Sequence, residues 1–350
     1  MSKPQTPRPS RGRPDPRPID WEQVTDEELL AKRICDLPLK IEGTVLEEWV
    51  RTVYRELETK GIGFHPEVYL GDEWFSPEGD PIISIPYYLA HPRLIKLERS
   101  RVLEAEGESR EWFLKLLRHE MGHALSHAYG LGRSKGYRSV FGDPAQEYPD
   151  GFRPRPYSRK YVQHLFDWYA QLHPDEDYAE TFAVWLTPDK DWRREYASWP
   201  ALRKLEFVDR LMGGIRGRRP KKSRAPKWRH LRSIRMTIAY SHKLKRRAME
   251  EDFPDYFDRD LLAIFASGGE AEKAGCFLRR HRKELVRSIA QWTLAKKYTV
   301  NELVTRLAER ADELALRVAR PELTTLTRVS VCLTAMAKNY FLTGKFKRRV

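Results

Sequence analysis

The stretch Arg118-His119-Glu120-Met121-Gly122-His123 sets two histidines four residues apart, with a glutamate directly after the first. On a helix, positions i and i+4 lie one turn apart on the same face. Both imidazoles can then reach one ion at about 2.0–2.1 Å, the distance of a Zn–N bond. Glu120 falls beside that ion, where a carboxylate can take a proton from an activated water. Histidine is scarce, 10 residues in 350, so HExxH is expected by chance only about 0.02 times in such a chain. The pattern predicts a zinc hydrolase centre with His119 and His123 as ligands and Glu120 as general base.

A catalytic zinc site takes a third protein ligand and keeps one position open. The position where a metzincin would carry its third histidine is Tyr129, and His127 lies a further turn along, too far to share an ion with His119. The third ligand must come from elsewhere. Residues 173–186 read as a second helix, opening with Pro174 and the acids Asp175, Glu176 and Asp177, the expected composition of a first turn. Glu180 then interrupts an apolar run among Ala179, Phe182 and Ala183. A carboxylate buried there is costly unless it is paired or binds metal. Glu180 is the expected third ligand, a salt bridge to an arginine being the alternative. Glu176 and Asp177, one turn back, are expected to orient a ligand histidine.

The elements that must hold these groups are legible as patterns. Residues 110–129 carry Trp112, Phe113, Leu116, Leu117, Met121, Ala124, Leu125 and Ala128 at helical spacing and stop at Gly130. Upstream, residues 25–34 and 43–60 read as helices, and residues 68–70 and 82–85 as strands around the turn-rich 76–81. An edge strand there could take an extended peptide by strand addition. Residues 130–159 read as a long loop rich in Gly, Pro and Arg that shapes or covers a cleft. The order predicts an α+β, zincin-like metallopeptidase domain.

Residues 82–212 resemble zinc metallopeptidases of the gluzincin type, and among them the bacterial zinc-binding metallopeptidases. The carriers are Ile85-Pro86-Tyr87-Tyr88-Leu89-Ala90-His91-Pro92-Arg93-Leu94, the His119–His123 core, Phe141-Gly142-Asp143-Pro144, and residues 157–186. Glu180-Thr181-Phe182-Ala183 is similar to the segment holding the third-ligand glutamate in anthrax lethal factor-like peptidases. The resemblance implies a Zn2+ cofactor, a peptide or protein substrate, His119, His123 and Glu180 as ligands, and Glu120 as base. Two positions depart from it. Thermolysin-like gluzincins carry an aspartate four residues after the ligand glutamate, and counted from Glu180 that position is Val184. Lethal factor-like enzymes carry a tyrosine seven residues before the ligand, and here that position is His173. The donor to the transition state is therefore expected from His173, from Tyr169 or Tyr178 nearby, or from elsewhere in the chain.

Charge divides the chain. Residues 217–350 hold 32 Lys and Arg against 14 Asp and Glu, a net of +18, whereas residues 1–216 net −4. Residues 217–247 carry 13 basic side chains and no acidic one. Such a run predicts attraction to polyanions or acidic proteins. The expected organisation is a disordered Pro/Arg-rich tail at 1–19, the peptidase domain at 20–215, a basic linker at 216–226 and a basic, mostly α-helical region at 227–350. Thr299 with Glu302 reads as a capping box in that region. No apolar run approaches membrane-spanning length. The N-terminus lacks a signal-peptide core, and the three cysteines are isolated, so a cytoplasmic protein is expected. The alternative to a peptidase is a nucleic-acid- or protein-binding module with a structural or degenerate zinc site. Glu120 argues for the enzyme, because a structural site has no use for a base.

Overall fold

Local capping starts the fold. Thr25 and Glu28 bond reciprocally, each side chain accepting from the other's backbone N–H (3.2 and 2.8 Å), and this box opens α1 (Asp26–Ala31). The computed structural model describes residues 19–149, 154–155, 157–165, 168–250, 258–293 and 295–343. All of the expected N-terminal tail except its last residue lies outside them. Thr44 caps α2 (Val45–Thr59), whose buried stripe is Leu46, Val50, Val53 and Leu57.

β1 (Glu67–Gly71) and β2 (Ile82–Pro86) pair in parallel, with Glu67 opposite Ile82 and Gly71 opposite Pro86. They are not a hairpin. The connecting segment passes to the far side of β2, where Phe75 and Ser84 exchange backbone hydrogen bonds (3.3 and 2.8 Å) and the Ser76 hydroxyl donates to the Ile82 carbonyl (3.1 Å). Of the two edges that could take a peptide strand, that of β2 is thus filled at these positions by the chain itself.

Then follow α3 (Pro92–Val102), α4 (Arg110–Tyr129), α5 (Lys135–Phe141), α6 (Pro174–Leu186), α7 (Trp192–Glu195) and α8 (Leu202–Ile215). α5 falls inside the stretch expected to be loop. α4 has the bounds its periodicity predicts, opened by the Ser109 hydroxyl accepting from Trp112 N–H (3.3 Å) and closed by Gly130 in the left-handed region at φ 65°. From Phe113 to Tyr129 every residue of α4 is buried except Lys115 and His127. Buried Arg118 is tolerated because Glu56 of α2 accepts from its guanidinium at 2.8 and 2.7 Å. Removing either partner of such a pair costs about 3–5 kcal/mol.

The C-terminal part contains α9 (Ile238–Glu250), α10 (Asp258–Ile264), β3 (Ala266–Ser267), α11 (Ala274–Thr293), α12 (Lys297–Glu313), β4 (Leu316–Arg317) and α13 (Glu322–Thr343). β3 and β4 form a short antiparallel pair. α12 starts two residues before Thr299, so Thr299 sits inside the helix and the capping box expected there is not the helix start. No helix among the described residues is long and apolar enough to cross a membrane. The architecture is mixed and helix-dominated, with two small sheets among the described residues.

Two apolar cores form, and they divide the chain later than the expected boundaries at 216 and 227. The first runs from Leu29 to Ile238 and includes Leu231 and Ile234; the second runs from Leu261 to Ala337. Residues 227–237 are not helical beyond a short 3-10 turn at Leu231–Ser233. They lie against the N-terminal unit instead: Ile34 and Cys35 N–H donate to the carbonyls of Met236 and Ile234 (3.0 and 2.9 Å), and the Ile238 N–H to Lys32 (3.1 Å). On α9, His242 and Lys245 both pair with the buried carboxylate of Glu98 on α3 (2.6 and 2.5 Å).

Candidate metal centre

The centre lies where α4 and α6 cross in opposite directions. His119 faces Glu180, Gly122 faces Ala179, and His123 faces Asp175. A Cβ on Gly122 would come within 3.0 Å of the Ala179 Cα and 3.1 Å of the Phe182 ring. This glycine lets the two backbones approach closely enough for their side chains to meet.

Three lone-pair atoms converge there. Glu176 Oε2 is 3.0 Å from His119 Nε2 and 3.3 Å from His123 Nε2, and the two Nε2 atoms are 3.1 Å apart. Ligands bound at 2.0–2.1 Å in tetrahedral geometry stand about 3.3–3.4 Å from one another, so this triangle has nearly the dimensions of one face of a zinc site. The opposite ring nitrogens are engaged elsewhere. His119 Nδ1 is 2.9 Å from Glu180 Oε1, and His123 Nδ1 is 3.0 Å from Asp175 Oδ2. Carboxylates only accept, so both Nδ1 atoms carry hydrogen and both Nε2 atoms turn lone pairs toward Glu176. Two such lone pairs and a carboxylate oxygen repel unless a cation or a proton lies among them. The donor set fits a metal ion, and His119, His123 and Glu176 form the one His/Cys/Asp/Glu cluster with metal-ligand spacing among the described residues.

The expected parts of Glu176 and Glu180 are therefore exchanged in the geometry. Glu180, only 1% exposed, is saturated without a metal, its second oxygen accepting from Leu165 N–H (2.9 Å). The two glutamates share one face of α6, and the axial offset between the crossing helices decides which one meets the Nε2 atoms. Asp177 does not orient a ligand. It leaves α6 toward α8, where Lys204 pairs with it at 2.5 Å, and burial lifts its carboxyl to about 7 despite that cation.

Of the three expected donors, only Tyr169 comes close. It opens a 3-10 turn at Tyr169–Gln171 and its ring lies 5.6 Å from that of His119. Burial, then the carboxylates Glu176, Glu120 and Glu180, push its hydroxyl far above the usual tyrosine value, so it remains a neutral donor. His173 is the N-cap of α6: its Nδ1 accepts from Asp175 N–H (3.1 Å) and its Nε2–H donates to the Gln146 carbonyl (2.9 Å). With both nitrogens bound it has nothing to offer a substrate. Tyr178 is fully buried among Tyr137, Phe141 and Phe182, and its hydroxyl finds no partner there.

Several groups around the centre carry no sequence signal. The Tyr148 hydroxyl donates to the second oxygen of Glu176 (2.8 Å), its ring stacked 3.9 Å from His173 and half-exposed. The stretch expected to cover the cleft thus reaches Glu176 of the cluster itself. Tyr137 on α5 donates to Asp175 Oδ1 (3.2 Å). His164, which donates to the Lys115 carbonyl (2.9 Å), is pushed down to about 4 by burial and stays neutral beside Glu180. His127, also lowered to about 4 by burial, accepts from Gly79 N–H (3.2 Å) and takes no part in the triad. Each of these partners is distant in sequence, and no local spacing announces it.

Glu120 is buried beside the triad, and burial raises its carboxyl above the ordinary value, against the opposing pull of His119 and His123. Burial alone would depress His119, but its hydrogen bonds to Glu176 and Glu180 outweigh this and push it up to about 9. Glu176 is held far below the carboxylate range, the His123 and His119 contacts overcoming its burial. The sign of the metal–proton competition follows. His119, raised to about 9, and His123, raised as well by Asp175 and Glu176, hold protons at neutral pH that an ion must displace, so affinity rises as pH rises. Titrating zinc calorimetrically at pH 7, in two buffers of different ionisation enthalpy, should show at least one proton released per ion. Buffer-independent heats would contradict the arrangement.

A family model described as "Putative zinc-binding metallo-peptidase" matches residues 96–194, a span that holds His119, Glu120, His123, Glu176 and Glu180. No curated protein and no solved structure matches the chain.

Proposed function

We propose that the protein is a zinc-dependent metallopeptidase of gluzincin type. His119, His123 and Glu176 are its ligands, Glu120 its general base and Tyr169 its transition-state donor. The observation that carries this reading is the convergence of both Nε2 lone pairs and one Glu176 oxygen within 3.0–3.3 Å, beside a buried glutamate whose carboxyl is raised. The family patterns add support once the ligand is Glu176. Four residues on stands an acid, Glu180, and seven residues back stands a tyrosine, Tyr169. The tyrosine departure seen when counting from Glu180 disappears, and the aspartate position is filled by the longer acid Glu180.

Zinc in such a site lowers the pKa of a water to about 7 and polarises a carbonyl. The chain supplies the rest. Glu180 and Asp175 hold the Nδ1–H groups of His119 and His123, so both Nε2 atoms already face inward, and an ion has only to displace protons from them. Glu120 takes the proton from the attacking water and passes it to the leaving amine. Its raised pKa makes the protonated form accessible for that second transfer. The Tyr169 hydroxyl, held neutral, donates to the oxygen that gains charge as the carbonyl becomes tetrahedral, a contribution of about 2.7–4 kcal/mol for a well-aimed donor.

The test is elemental analysis of the purified full chain together with cleavage of an unfolded protein such as reduced, alkylated casein. About one zinc per chain is expected, with cleavage that stops on chelation and returns on adding zinc. Absence of zinc after reconstitution, or cleavage indifferent to chelation, would overturn the proposal.

A further inference from the structure

The basic stretch after α8 is fastened to the N-terminal unit as a ribbon. The Lys221 and Lys222 amides both donate to the Ala128 carbonyl at the end of α4 (2.8 and 3.0 Å). The Tyr129 hydroxyl donates to the Arg218 carbonyl (3.1 Å), and the Tyr69 hydroxyl to that of Trp228 (2.6 Å). On its inner side the ribbon finds carboxylates: Lys222 pairs with Asp80, Lys227 with Glu67 and Arg229 with Asp72. These bonds hold the path of the chain and leave a second set of cations outside. Arg218, Arg219, Lys221, Arg224, Arg232 and Arg235 are exposed, and among the described residues none has a carboxylate within ion-pair distance.

Six unpaired positive charges along 18 residues repel one another, and a flexible linker would spread them. Here backbone bonds to neutral groups keep them displayed, so the ordering cost of meeting a polyanion is met in advance. Five of the six are arginines, whose planar guanidinium forks suit phosphate oxygens. Trp228, in the middle of the ribbon, anchors its indole N–H on Asp80 (3.2 Å) and leaves the ring 55% exposed, open to stacking by a base. Residues 217–247 contain no acidic side chain, which a mixed-charge protein partner would require for register. Trp228 is the only large apolar side chain exposed between 216 and 235, too little for insertion into a lipid surface.

We propose that residues 218–235 form a binding surface for single-stranded nucleic acid, contacting its phosphates through the outward arginines and a base through Trp228. None of these residues is a proposed metal ligand or catalytic group, so the proposal does not depend on the peptidase reading.

The experiment is fluorescence anisotropy of a labelled 20-nucleotide oligothymidine with the zinc-loaded full chain between 50 and 200 mM KCl. A glutamate-rich peptide of equal charge and phosphatidylserine-containing vesicles serve as competitors. About five phosphate contacts give a log–log salt slope near −3.5, or about a 100-fold loss of affinity over that range. The variant R218Q/R219Q/R224Q/R232Q/R235Q removes charges that make no internal contact. It should keep its zinc and Tm, flatten the slope and bind at least 30-fold more weakly at 50 mM. Trp228→Leu should weaken binding several-fold with the slope unchanged. A wild-type chain that shows no salt-dependent binding overturns the proposal. So do a peptide or vesicles competing as well as unlabelled oligonucleotide, and a quintuple variant with wild-type affinity.

Discussion

Glu176→Ala should leave the chain folded and unable to retain zinc through dialysis, whereas Glu180→Ala should retain it with affinity lowered about 10- to 100-fold. The two glutamates stand on one face of α6, one turn apart, and differ in which nitrogen of His119 they meet: Oε2 of Glu176 lies 3.0 Å from Nε2, and Oε1 of Glu180 lies 2.9 Å from Nδ1. Removing Glu176 takes away a charged ligand and leaves two imidazoles, too few to hold a catalytic zinc. Removing Glu180 leaves both Nε2 atoms and the Glu176 oxygen in reach, but frees the His119 ring to turn. It also strips a partner from His119 Nδ1–H and from the Leu165 N–H, at about 1–3 kcal/mol for each buried donor left unmet. Glu180→Ala should therefore lose stability but less zinc than Glu176→Ala. Competition against a chromophoric chelator, with Tm measured on the same samples, separates the two effects. Loss of zinc from Glu180→Ala with retention by Glu176→Ala would return the ligand role to Glu180.

How far these roles can be read without a structure depends on the range of the interaction. His119, Glu120 and His123 are legible because i to i+4 spacing is a local property of one helix, and α4 forms over the residues its apolar period marks. That an acid on the second helix meets the two histidines is also legible, from that helix's acidic opening and its lone carboxylate in an apolar run. Which acid does so is not. The choice between Glu176 and Glu180 turns on how α6 is offset along α4, and that offset is set by the contact of Gly122 with Ala179, a packing fact between residues 57 positions apart. Counted from Glu176, the resemblance meets a tyrosine seven residues back and an acid, a glutamate in place of the aspartate, four residues on, which is the sequence-level hint in its favour. Tyr148 and His164 lie in stretches without periodicity, and they meet Glu176 and Glu180 only because the chain folds back over α6 and α4.

In the basic half, composition and packing place the division differently. A Gly, Pro and Lys/Arg-rich stretch has the composition of a linker whether or not its charges find partners. Glu67, Asp72 and Asp80, far upstream, pin residues 222–229 to the N-terminal unit. The apolar residues that mark the true change of core, Leu231, Ile234 and Ile238, are too widely spaced to declare which side they join. Composition reported the excess of positive charge correctly and was silent about its anchoring.

Glu120→Gln should bind zinc as wild type does and lose about 10²–10⁴ in kcat, the usual contribution of a positioned proton-transfer group. Glutamine keeps the shape of the side chain within the buried stretch of α4, so neither packing nor the Nε2 triangle has reason to change. What disappears is the capacity to accept a proton. The pH profile makes this more than a loss-of-function observation. Burial raises the Glu120 carboxyl while His119 and His123 pull it down, and burial prevails in the metal-free site. A base must be ionised to act, so wild-type kcat/KM should rise with pH through the Glu120 pKa, along an acid limb displaced upward from that of an ordinary glutamate. A bound dication takes the place of the protonated histidines in opposing burial, so the position of the limb reports the balance between burial and the ion. In Glu120→Gln any residual rate should lack that limb, and Glu120→Asp, one methylene short of the same position, should keep it with a reduced plateau. If Glu120→Gln turns over at the wild-type rate, or keeps the limb, the proton acceptor is another group. In that case the carboxylate beside the triad serves the fold and not the reaction.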